Sequence, residues 1–179
     1  CDYCSRSVRE YYQGWKSLRQ IGDETLATLQ MMTGDVERVT ISGGGDPSCY
    51  PEFTDLIELL AGMEVPLHIG YTSGKGFDDI GIADFLIDHG LAEVSFTVFS
   101  VDPAKRKRYM HDPSPDVSLK ILERLCGEID VYGAAVVLPG INDGKSLEET
   151  CRWLDDRGAK GLILMRFANR TDQGLILGN

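Results

Sequence analysis

Cys1 and Cys4, in the stretch Cys1-Asp2-Tyr3-Cys4, are the first residues able to do metal or redox chemistry. A C-x-x-C pair supplies two thiolate ligands to one centre, or forms a redox couple. No second C-x-x-C follows, so a closed tetrahedral zinc site has little support. The other chemical stretch is Arg38-Val39-Thr40-Ile41-Ser42-Gly43-Gly44-Gly45-Asp46-Pro47. Its β-branched run reads as a buried strand. The glycines remove every Cβ where that strand leaves the sheet, so backbone can approach a ligand closely. Asp46 adds an acceptor, and Pro47 fixes the exit from the turn. Bare carbonyls beside one carboxylate suit an ammonium group; a phosphate would be repelled by Asp46. The plain alternative is a tight βα turn with no ligand, in which Asp46 is an N-cap or turn former.

The elements that position these residues must come from a chain of 179 residues, which suits one domain. Hydrophobic residues make up 42%, enough for a sizeable core, and the formal net charge of −10 disfavours nucleic-acid binding. The basic cluster Lys105-Arg106-Lys107-Arg108 reads as a solvated helix face or a local anion site. No apolar run approaches the ~20 residues of a membrane span, and no leader pattern is present. Five cysteines without regular spacing point away from a disulfide framework and toward a reducing cytoplasm. Cys126 and Cys151 fall in apolar-periodic stretches and read as core thiols. A chain opening on a ligand-type cysteine reads as cut through a motif, with further chain expected upstream.

Helical spacing over residues 5–34, broken near Gly14 and Gly22, predicts two helices or one interrupted helix, with Asp23-Glu24-Thr25 resembling an N-terminus. Strands are then predicted at 38–42, 67–72, 93–100, 131–138 and 161–167. Helices are predicted near 51–62, 79–89, 116–128 and 146–157, with a short basic helix after Pro103. The strands are continuous apolar runs, which predicts an α/β fold with a parallel sheet buried on both faces. A doubly wound sheet and a (β/α) barrel both place ligands at the carboxyl ends of strands. Successive strand exits at 43–48, 72–76, 97–102, 139–143 and 166–170 carry the polar and glycine-rich punctuation. Convergence on one rim favours a partial barrel.

With these residues in view, the chain resembles the radical S-adenosylmethionine (SAM) superfamily. Cys1-Asp2-Tyr3-Cys4 resembles the end of its Cys-x-x-x-Cys-x-x-Cys loop, with Tyr3 as the aromatic residue before the last cysteine. Ser42-Gly43-Gly44-Gly45-Asp46-Pro47 resembles its glycine motif, with aspartate where glutamate is usual. Val136-Val137-Leu138-Pro139-Gly140-Ile141-Asn142-Asp143 resembles the ligand-binding end of its fifth strand. The resemblance implies a partial (β/α)6 TIM-type barrel whose first strand and first cluster cysteine lie outside this segment, residues 1–179 being the core domain of a longer protein. Three further stretches, 43–50, 70–76 and 167–174, are similar to the methanogenesis marker protein 10 family. That similarity implies a cobalamin-dependent methyltransferase acting on an arginine carbon of methyl-coenzyme M reductase, with an electron donor as second partner and cobalamin bound largely beyond residue 179.

The superfamily resemblance also implies roles. Cys1 and Cys4 would ligate a [4Fe-4S] cluster with one open iron. SAM would chelate that iron and be cleaved by one electron to the 5′-deoxyadenosyl radical. Gly43, Gly44, Gly45 and Asp46 would hold the methionyl ammonium, and Thr72 and Ser73 the ribose hydroxyls. Thr97 would face the pocket, and Val137, Leu138 and Gly140 would bound the adenine. Arg166, between Met165 and Phe167 in a buried strand, needs an anion: the SAM carboxylate, or an acid on a neighbouring element. Arg108 is a weaker candidate. Tyr50 would lie beside the cluster to cap the open iron or steer a radical; packing over the helix start is its alternative. Cys49 could be a fourth thiolate. His68, His89 and His111 form no cluster by spacing and read as structural or exposed. Two other functions compete: a non-redox (β/α) lyase or isomerase, and a metal-binding module using Cys1 and Cys4.

Overall fold

The computed structural model describes residue 1, residue 3 and residues 14–167. Helix α1 (Leu18–Met31) opens at Ser17, whose hydroxyl accepts from the Gln20 amide at 3.3 Å while the Gln20 side chain accepts from the Ser17 amide at 3.1 Å. This reciprocal box starts the helix ahead of Asp23 and carries it through Gly22 without a break. Gly22 is buried because α1 crosses closely there: a Cβ would lie 2.9 Å from Leu59 Cδ2. The expected interruption is a packing contact.

The remaining elements alternate. They are β1 (Val39–Ile41), a 3-10 turn (Pro47–Cys49), α2 (Phe53–Ala61), β2 (Leu67–Thr72), α3 (Gly81–Asp88), β3 (Leu91–Thr97), α4 (Pro103–Lys105), a π turn (Arg106–Met110), α5 (Pro115–Cys126), β4 (Asp130–Val137), α6 (Gly144–Asp155) and β5 (Gly161–Arg166). The five strands are all parallel, in the order β1-β2-β3-β4-β5. A doubly wound sheet must reverse the direction in which strands are added. This one never reverses, which is the connectivity of a barrel wall.

The faces of the sheet differ. Leu67, Ile69, Val94, Phe96 and Val131 point into the main core with Ile57, Leu60, Leu86, Ile121 and Leu122 of the helices. The other face is polar toward the strand starts. There His68, buried at 8% exposure, meets Thr40 Oγ1 at 3.1 Å, Ser95 Oγ at 3.5 Å and Glu93 at 3.4 Å, and Arg38 pairs with Glu93 at 2.7 Å. Burial pulls the His68 pKa down against the opposing effect of Glu93. Burial on both faces therefore holds for the central strands, whereas Ile163 and Leu164 of edge strand β5 are exposed.

Candidate functional site

The glycine turn after β1 is shaped by Asp46. Its Oδ1 caps the 3-10 turn through the Ser48 amide at 3.1 Å and hydroxyl at 2.9 Å, and accepts from the Thr72 hydroxyl at 2.8 Å. Its Oδ2 accepts from the Ser73 amide at 3.0 Å and from the Ser73 hydroxyl. The carboxylate thus ties the exit of β1 to the exit of β2. Thr72 and Ser73, expected at a ribose, turn their hydroxyls onto Asp46, and the Thr72 oxygen also accepts from the Gly74 amide at 3.2 Å. The methionyl ammonium expected on the Asp46 carboxylate would have to share oxygens that are already engaged. The glycines differ among themselves. A Cβ on Gly43 would meet nothing within 4 Å, whereas one on Gly45 would lie 3.1 Å from the Trp15 ring. The bareness of Gly45 serves packing; that of Gly43 faces open space.

Across the rim, the exits of β3 and β4 form a small apolar cup of Tyr3, Phe99, Met110 and Leu138, with Cys1, Tyr109, Val136, Ile141 and Phe167 packed against it. Tyr3 stacks on Phe99 at 4.9 Å between centroids. Phe99 holds φ +57°, a left-handed conformation costly for a bulky side chain, immediately beyond the end of β3. The Cys1 thiol is half-buried and donates to the Met110 carbonyl at 3.4 Å. Cys4, its expected partner, lies outside the described residues.

Two further residues hold this rim. Asn142, 1% exposed, donates from Nδ2 to the carbonyls of Phe99 and Val136, each at 2.9 Å, and accepts from the Leu138 amide at 2.7 Å. It joins the exits of β3 and β4. Arg106 is fully buried and ion-pairs with Asp112 at 2.8 Å. Neither stands out by type. Asn142 sits in a loop where asparagine is ordinary, although its place two residues after Gly140 is a signal. Arg106 is hidden in a basic run that reads as solvated, and Asp112, six residues on, is the signal.

Several expected contacts are corrected here. Tyr50 is 7% exposed and belongs to the main core, not to the cup that holds Cys1. Its hydroxyl donates to the Lys16 carbonyl at 3.0 Å, and Trp15 packs edge-on to its ring at 5.7 Å. Burial, then Glu52, raises its pKa, so a phenolate is disfavoured. The packing alternative describes it. Arg166 is exposed at the end of edge strand β5, level with Val137. The apolar neighbours that suggested burial lie on a strand with no further described strand beyond it. Val136, not Val137, packs on the cup, while Leu138 is fully buried in it. Thr97 is half-buried, and its carbonyl accepts from Arg106 at 3.3 Å. Cys49 is exposed, and desolvation followed by Asp46 raises its thiol pKa, which works against thiolate ligation. Cys151, expected in the core, is exposed; Cys126 is buried, its pKa pushed up to about 11. Residues 168–174, part of the finer resemblance, lie outside the described residues.

The model of the radical SAM superfamily matches residues 1–154. The chain belongs to the radical SAM superfamily. Solved structures agree on the fold. SuiB of Streptococcus suis bound to its precursor peptide SuiA is similar at 13% identity and a TM-score of 0.72, over 94% of this chain and 36% of that one. SuiB bound to S-adenosylmethionine is similar at 13% identity and a TM-score of 0.70, over 96% and 36%. Methylornithine synthase, PylB, is similar at 17% identity and a TM-score of 0.66, over 96% and 50%. The chain therefore spans a third to a half of these neighbours. No curated protein matches it.

As a radical SAM chain, it is implied to use a [4Fe-4S] cluster and SAM. The observed residues fit both groups in part. A half-buried thiol against an apolar cup is the soft, water-shielded donor that such a cluster takes. Among the described residues, no three His, Cys, Asp or Glu side chains converge on a metal. The open backbone at Gly43 fits the approach of a ligand to the turn. No described helix is long and apolar enough to cross a membrane.

Proposed function

We propose that this chain is the catalytic core of a radical SAM enzyme, and that the full protein is a cobalamin-dependent methyltransferase acting on an arginine of methyl-coenzyme M reductase. The observation that carries the core reading is the superfamily match, which spans Cys1 and the glycine turn on one rim of a barrel wall. The finer reading rests on the similarity of residues 43–50, 70–76 and 167–174 to methanogenesis marker protein 10, and it assigns cobalamin to chain beyond this segment.

A cluster held by Cys1 and Cys4 would supply the one electron needed for reductive cleavage of SAM. The chain's own residues do the rest. Cys1, which packs against the cup, would be one of the cluster's ligands. The carbonyls of the Gly43–Gly45 turn accept from the methionyl ammonium, since the Asp46 oxygens are committed to holding that turn. Thr97 would line the pocket wall, and the apolar Leu138 and Val136 of the cup would pack against the adenine and exclude water. The guanidinium of Arg166 is exposed at the end of β5.

The test of the finer reading is anaerobic incubation of the full-length protein, reconstituted with iron and sulfide, with SAM, a cobalamin, an electron donor and an arginine-containing peptide of methyl-coenzyme M reductase. A gain of about 14 Da on arginine, one methylene, is the expected result. SAM cleavage without that gain removes the methyltransferase assignment and leaves the radical SAM core.

A further inference from the structure

Arg106 is the largest fully buried side chain among the described residues. Its Nε and Nη2 donate to Asp112 Oδ2 at 3.0 and 2.8 Å, and Asp112 Oδ1 accepts from the Ser114 amide at 3.1 Å, which anchors the pair at the start of α5. The other donors go to main-chain carbonyls: Nη1 to Val98 at 2.7 Å and Thr97 at 3.3 Å, Nη2 to Ser73 at 2.7 Å. Burial depresses the pKa of this guanidinium, and Asp112 opposes the shift.

Burying two charges costs several kcal/mol per ion, and well-packed apolar replacements are often as stable or more so. Stability alone is therefore a weak reason for this pair. What distinguishes it is where the donors end. Ser73 O is at the exit of β2, and Thr97 O and Val98 O are at the exit of β3. Ser73 in turn gives its amide and hydroxyl to Asp46 at the exit of β1. One planar cation thus holds consecutive strand ends on the rim: that of β3 through Thr97, which lines the pocket in the proposed function, and that of β2 through Ser73, which is bonded to the Asp46 of the glycine turn.

We propose that Arg106 is a positioning residue for SAM: it fixes the Ser73–Asp46 and Thr97–Val98 turns in the shape that the cofactor meets, without touching the cofactor. The proposal rests on the radical SAM reading.

The experiment uses full-length, cluster-reconstituted protein and compares SAM affinity by calorimetry with the melting temperature. Two variants are needed. R106M/D112L removes both charges together, so no buried ion is left unpaired. R106K keeps the charge but cannot fork to Asp112 and to carbonyls on two strands. The expected result is SAM binding weakened about tenfold or more in R106M/D112L that is still folded at the temperature of measurement, and weakened to a smaller extent in R106K. SAM affinity within about twofold of wild type in both variants overturns the proposal. If R106M/D112L does not fold, R106K decides: weakened binding supports the proposal and unchanged binding overturns it. Wild-type protein that loads a cluster yet binds no SAM overturns the underlying reading instead, which separates the two failures.

Discussion

Asp46 shows what one residue carries at this rim. Aspartate stands where the superfamily's glycine motif usually has glutamate, and its shorter side chain is used up locally by Ser48, Thr72 and Ser73. A neutral amide at this position would present its NH2 to donors that point inward. Asp46→Asn should therefore lower stability by about 2–3 kcal/mol, more than loss of a surface charge. Urea unfolding monitored by circular dichroism measures it; a change under about 0.5 kcal/mol would show that the contacts are not maintained in solution. Residue roles were only partly legible. The chemistry of Asp46 as turn former can be read from type and position. The partners could not be read, because Thr72 and Ser73 lie 26 and 27 residues from Asp46 in sequence. Arg166 and Arg106 exchanged their expected environments for the same reason: a guanidinium flanked by apolar residues reads as buried and one flanked by lysines reads as exposed, and neither local context sees the neighbouring strands.

At the scale of elements, the sequence pattern served better. Strand β2 lies at 67–72 as its apolar run predicts, and the other strands and the helices after β1 fall within a few residues of theirs; of the helical stretch expected over 5–34, residues 5–13 lie outside the described residues and the helix begins at Leu18. Periodicity is a local property, and for α/β chains it is decided by strands buried from both sides. The misreading at Gly22 came from treating a glycine as a breaker when a neighbouring helix needed its missing Cβ. Gly76 is the stronger case of close approach. A Cβ there would lie 2.0 Å from the Ser48 carbonyl oxygen, so the turn after β2 sits directly on the turn after β1. The Gly76 amide donates to Ser48 Oγ at 3.1 Å and seals that contact. Neither side is a flexible side-chain end that could give way. Gly76→Ala should cost about 3 kcal/mol and loosen the Asp46 clamp, visible as faster amide hydrogen exchange at Ser73. Native stability with unchanged exchange would mean that the two turns are not in contact.

On the scale of the whole molecule, the account is a barrel wall whose strand exits are tied pairwise: β1 to β2 by Asp46, β2 to β3 by Arg106, β3 to β4 by Asn142. Cys1 and Tyr3 sit against the last of these joints, in the cup. The sequential strand order was legible as a preference for a barrel, since every polar exit fell on one rim. The ties were not legible, since each joins residues far apart in sequence. The most direct measurement is formation of 5′-deoxyadenosine from SAM by anaerobically reconstituted full-length protein under reducing conditions, compared with its Cys1→Ala and Cys4→Ala variants. The expected result is 5′-deoxyadenosine from the wild type, with an absorbance band near about 400 nm, and loss of both product and band in each variant. A variant that keeps full iron content and normal 5′-deoxyadenosine formation would contradict ligation by that cysteine, and a reconstituted wild type that forms none would contradict the account as a whole.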